Sequence, residues 1–101
     1  MGVYSGGMID AIQQRASHRA RIIDGQFKGL LKKIDNDEYC VDILTQSLAI
    51  QKSLRSLNKL ILENHLRTCA KDALSSSDEI VQDKAIHELM SLYELGNVRG
   101  K

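Results

Sequence analysis

Apolar residues recur along this chain in steps of three and four. Ile9, Ile12, Ala16, Ala20, Ile23, Phe27, Leu30 and Ile34 form one such series, the period of an amphipathic helix. It predicts a first helix over about residues 9–34. Gly25 and Gly29 interrupt this helix, each at about 1 kcal/mol relative to Ala, which predicts a second helix packed close against them. Asp35-Asn36-Asp37 predicts its end and the caps of the next. Val41, Leu44, Leu48, Leu54, Leu57, Ile61 and Leu62 form a second series without glycine or proline. They predict one long helix from about Glu38 to beyond Cys69. About 30 residues give a rod of ~45 Å, too long for one partner helix to cover in a compact protomer. Ser75-Ser76-Ser77-Asp78-Glu79 predicts a third start, with a serine cap and acids at the positive end of the helix dipole. Ile80, Val81, Ile86, Leu89, Met90 and Tyr93 continue that helix to a stop at Gly96. Residues 1–7 and 97–101 are expected to be flexible.

Composition narrows the picture. The 101 residues include no proline, and Leu, Ile, Ala, Lys and Glu dominate, which favours an all-α fold. A chain of this length is expected to form one domain, 1–101, with a core small enough that a second copy would add useful burial. Net charge is only +1, so no global basic excess announces nucleic acid. The distribution is less even. Arg15, Arg19, Arg21, Lys28, Lys32 and Lys33 crowd the first helix, whereas Asp72, Asp78, Glu79, Asp83, Glu88 and Glu94 make the C-terminal third acidic. This polarity would give an assembled particle one basic face. No apolar run approaches a bilayer span, and no signal peptide is readable. A cytoplasmic protein without a membrane partner is expected, its two cysteines serving as thiols or metal ligands. No catalytic constellation is readable, so no enzyme is expected.

Cys40, His65 and Cys69 carry most of the chemistry. His65 and Cys69 stand four residues apart, one turn along the same helix face. Cys40 and His65 are 25 residues apart, ~37 Å along one helix but close to seven whole turns. Metal–ligand bonds of roughly 2.0–2.3 Å cannot bridge that distance. Two antiparallel copies of the long helix, with a two-fold axis near Ser53 and Leu54, would bring Cys40 of one chain to His65 and Cys69 of the other. The expected assembly is therefore an antiparallel four-helix-bundle homodimer with two equivalent sites, or a dimer of such dimers. Two thiolates and an imidazole form a soft set suited to Cu(I); Zn(II) prefers a fourth ligand. A site for Ni(II) would need a further donor, such as His18 or one from residues 1–7. Otherwise His18 and His87 read as solvated side chains.

Three strings sharpen this reading: Asp24-Gly25-Gln26-Phe27-Lys28-Gly29, Tyr39-Cys40-Val41-Asp42-Ile43-Leu44 and Asn64-His65-Leu66-Arg67-Thr68-Cys69. With them the chain resembles, over about residues 15–95, the copper-sensitive operon repressor (CsoR) family. That family lies within a wider group that includes the nickel/cobalt sensor RcnR. The resemblance implies an all-helical homodimer or homotetramer that binds operator DNA and releases it when metal bridges the dimer interface. It implies Cys40, His65 and Cys69 as Cu(I) ligands, with Tyr39 and Glu88 coupling the imidazole to the DNA-binding state. Arg19 matches a basic residue used for DNA. Arg15, Arg21, Lys28, Arg55 and Lys59 are candidates beside it, the last two flanking Ser56, where some members carry arginine. The nickel/cobalt group resembles this chain less, because residues 1–7 contain no histidine. The formaldehyde-responsive type has an acid in place of Cys69, and the persulfide-sensing type lacks the histidine.

Two other functions remain open on the residues alone. A metal carrier with no DNA role needs the same three donors. A thiol- or persulfide-responsive repressor would join Cys40 to Cys69 across the dimer, with His65 activating a thiol.

Overall fold

The structure is a computed structural model that describes residues 7–96. Apart from Gly7, the segments expected to be flexible lie outside the described residues. Four α-helices follow in order: α1 (Asp10–Asp35), α2 (Cys40–His65), α3 (Lys71–Leu74) and α4 (Glu79–Gly96). A π turn over Leu66–Ala70 joins α2 to α3 without a break in helical backbone. The three predicted helices are therefore present, with the long one built from α2, the π turn and α3. No strand occurs among the described residues, and none of their helices is long and apolar enough to cross a membrane.

The chain divides into two compact units, Met1–Asn64 and His65–Lys101. In the first, α1 and α2 form an antiparallel hairpin. Ile12, Ala16 and Leu60 make its buried cluster, with Met8 and Leu57 packed against them. Further along, the Gln46 side-chain amide donates to the Gln26 carbonyl at 2.9 Å. The approach there is close: a Cβ on Gly29 would stand 3.4 Å from Gln46 Nε2. Gly29 thus serves the packing expected of it, whereas Gly25 has open space around it.

The turn between α1 and α2 is a C-terminal helix motif. The Glu38 amide donates to the Lys33 carbonyl and the Asp37 amide to the Ile34 carbonyl, both at 3.0 Å, the paired bonds of a Schellman cap. Asp37 holds the left-handed position at φ 52°, where a short polar side chain is better tolerated than most. The Lys33 ammonium donates to Glu38 Oε1 at 3.3 Å across the same turn. Asp37 therefore closes α1; the first amides of α2, from Asp42 and Ile43, are taken by the Tyr39 carbonyl at 2.9 and 3.1 Å. Helix α2 accordingly starts two residues later than the pattern predicts.

In the second unit, Ala70 and Ala85 are buried. Asp78, rather than a serine, caps α4. Its Oδ1 accepts from the Ile80 amide at 2.9 Å, while the Ser76 hydroxyl accepts from the Asp78 amide at 3.0 Å. The Gln82 side chain reaches back to the Ser76 carbonyl.

Candidate metal centre and basic surface

Helix α2 carries two apolar stripes. Ile50, Leu60 and Asn64 are buried in the hairpin, and Leu57 packs with the cluster. Most of the series that announced the helix faces outward instead: Val41, Leu44, Leu48, Leu54, Ile61 and Leu62 are 40–58% exposed. At 3.6 residues per turn, Leu44, Leu54, Ile61 and Leu62 share a side of the rod with Cys40 and His65.

Cys40 is the first residue of α2 and His65 the last. Both thiols are free and exposed, and the imidazole is half-buried. Cys69 sits in the π turn, not in the regular α-helix expected for it. In such a turn the backbone bonds run to i−5 rather than i−4. A residue four positions on then falls just short of a full turn instead of just past it, so Cys69 keeps to the side of His65. Among the described residues, no three His, Cys, Asp or Glu side chains of the one chain gather as a metal-holding group. Free soft donors fit a thiophilic ion chemically; a single protomer does not assemble the set.

Tyr39 stands at the α2 N-cap, 68% exposed. Glu88 is exposed on α4, and its neighbour His87 donates from Nδ1 to the Asp83 carbonyl at 2.9 Å. That bond occupies one nitrogen of His87 with helix backbone.

All six candidate DNA residues are exposed, but they do not form one cluster. The facing pairs of the hairpin, Ile9 with Asn64 and Gln26 with Gln46, set Arg15 and Arg19 level with Arg55 and Lys59. These four lie toward the end away from the turn, and Lys52, missed in the sequence, is exposed beside them. Arg21 and Lys28 are seven residues apart on another side of α1. Lys28 is already paired with Asp24 at 3.0 Å.

Comparison with known proteins places this helical chain among regulators. Residues 12–94 match the family of metal-sensitive transcriptional repressors, and the chain belongs to that family. The copper-sensing transcriptional repressor CsoR of Bacillus subtilis (strain 168) is 34% identical over 82 residues, covering 81% of this chain and 78% of that protein. The copper-sensing repressor RicR of Mycobacterium tuberculosis (strain ATCC 25618 / H37Rv) is 39% identical over 57 residues, 56% of this chain and 59% of the relative. A CsoR of Mycobacterium bovis (strain BCG / Pasteur 1173P2) is 35% identical over 66 residues, and this chain spans 56% of its length. The fold matches the crystal structure of the copper-sensing repressor CsoR with Cu(I) from Geobacillus thermodenitrificans NG80-2. The TM-score is 0.75 at 28% identity, over 94% of this chain and all of that one.

Proposed function

We propose that the chain is a Cu(I)-responsive transcriptional repressor, a single metal-sensing and DNA-binding domain whose metal-free form holds operator DNA and releases it on binding the ion. The observation that carries this reading is the placement of the donors. Cys40 opens α2, His65 closes it and Cys69 follows one turn later. The relatives bearing copper-sensing names support Cu(I) as the inducer over Ni(II) or Zn(II), as does the softness of two thiolates.

A second copy completes the site. Packed antiparallel, the outward stripe of Leu44, Leu54, Ile61 and Leu62 buries itself against its own image. Cys40 of one protomer then meets His65 and Cys69 of its partner. Cu(I) supplies a soft centre that three donors satisfy. Tyr39 and Glu88 are our candidates for the groups that orient the imidazole.

The same pairing gathers charge. Arg55 and Lys59 lie close to the two-fold axis at Ser53 and Leu54, so two copies bring four cations together, with Arg15 and Arg19 level with them. Such a patch gains DNA affinity by releasing counterions. Release on metal binding requires that Cu(I) favour the DNA-free state, and linkage then requires that DNA weaken Cu(I) binding by the same factor.

The test is DNA affinity measured with and without Cu(I), using a duplex selected by the metal-free protein from random sequence. Wild type should lose affinity by tenfold or more, while Cys40→Ser should bind the duplex and no longer let go. Release by an oxidant or persulfide, with none by Cu(I), would replace this reading with the thiol sensor. Absence of any DNA complex would leave a metal carrier.

A further inference from the structure

Ile9 opens α1 with no side-chain cap. Its own amide donates to Asn64 Oδ1 at 2.8 Å, tying the first residue of the hairpin to the far end of α2. Asn64 is 9% exposed, the one buried polar residue among the described residues. A side chain of this kind stays buried only while its polar atoms are bonded, so the contact holds the start of α1 in one place. The next residue in the chain is His65, and the π turn bearing Cys69 begins directly after it. Single π turns within α-helices occur frequently at functional sites.

We propose that Asn64 is a positioning residue: through its bond to the Ile9 amide it transmits the state of the His65–Cys69 turn to the half of α1 that carries Arg15 and Arg19. This rests on the repressor reading above. Drawing His65 and Cys69 onto one ion fixes the backbone over Leu66–Ala70 and with it the last turn of α2. The Asn64 side chain is carried by that turn, and its acceptor is seated on Ile9. A rotation at the end of α2 therefore either strains or releases the Ile9 amide. Arg15 and Arg19 follow Ile9 by about two and three turns of the same helix. The two-state element is the first turn of α1, pinned or frayed, and both the metal and the DNA bias it.

The test uses the full chain carrying Asn64→Leu, which removes the acceptor, and Asn64→Asp, which keeps one. Hydrogen exchange at the Ile9 amide of the metal-free protein reads the bond itself. Protection should be lost in Asn64→Leu and kept in Asn64→Asp. Cu(I) stoichiometry, titrated with the metal alone, should equal that of wild type in both. The ratio of DNA affinities without and with Cu(I) should fall at least tenfold in Asn64→Leu and recover in Asn64→Asp. Loss of Ile9 protection with an unchanged ratio would overturn the proposal and leave Asn64 a simple cap. If circular dichroism shows Asn64→Leu unfolded, Asn64→Gln, which displaces the acceptor by one methylene, is judged by the same two readings. A wild-type protein whose DNA affinity ignores Cu(I) would defeat the repressor reading instead, so the two failures are distinct.

Discussion

Cys40 and His65 occupy the first and last positions of one unbroken α-helix of 26 residues. The rise per residue sets them roughly 37 Å apart, so neither can share an ion with the other inside a protomer. Chemical cross-linking checks the consequence. A chain with Cys69→Ser keeps only Cys40, and a chain with Cys40→Ser keeps only Cys69. Oxidised together, they should yield a disulfide-linked heterodimer on a non-reducing gel, and oxidised separately they should stay largely unlinked. A strong dimer band from either variant alone would place the sulfurs in a different assembly.

The outward stripe of α2 gives a second prediction. Leu44 is 58% and Leu54 40% exposed, yet burying a leucine is worth about 1.5–3 kcal/mol. In a two-fold interface each substitution counts twice. Leu44→Glu should therefore weaken self-association by on the order of 10²–10⁴-fold, visible as monomer in sedimentation at concentrations where wild type is assembled. The hairpin itself should keep its helical signal, because its cluster of Ile12, Ala16 and Leu60 does not include Leu44.

That contrast shows which parts of the molecule were legible in the sequence. The helices were, because periodicity needs only local spacing: α1 ends within a residue of its prediction, and α4 runs to Gly96 as expected. The inside of the protomer was not. Helix α2 has apolar residues on two sides, and the series that stood out, Val41 through Leu62, is mostly the exposed one. Periodicity identifies a face without saying whether a neighbour in the same chain or in another copy covers it. Asn64 passed unnoticed for a related reason. It continues the run of half-buried Leu57 and buried Leu60 at helical spacing, but a polar residue does not register in an apolar count. The π turn was illegible too, since its residues, Leu66–Ala70, include no glycine or proline to mark it. The proposed donors, Cys40, His65 and Cys69, are readable as residue types and spacings, and their separation along one helix is why the proposed site calls on a second copy.

The start of α4 supplies a stability prediction. Asp78 Oδ1 caps the Ile80 amide, and Asp78 also stands where the helix dipole favours negative charge. Asp78→Ala should cost about 1 kcal/mol, read as a lower midpoint in urea at unchanged slope. Ser77→Ala, beside the cap but not part of it, should change the midpoint far less. Equal losses would mean that a serine, as the bare sequence pattern suggested, does the capping.

Salt dependence separates the basic residues that contact DNA from those that only decorate the surface. Each phosphate neutralised steepens the fall of log affinity with log salt by about 0.9 on duplex DNA. Arg15 lies level with Arg19, Arg55 and Lys59 at the end of the hairpin away from the turn, so Arg15→Ala should weaken binding across sequences and reduce the slope by about 1. Lys28 sits on another side of α1 with the Asp24 carboxylate 3.0 Å from its ammonium. Its charge is locally offset, and it lies apart from the four level cations. Lys28→Ala should leave both affinity and slope close to wild type. A slope that falls for Lys28→Ala and stays put for Arg15→Ala would move the DNA surface to the opposite side of α1 and detach it from the two-fold axis.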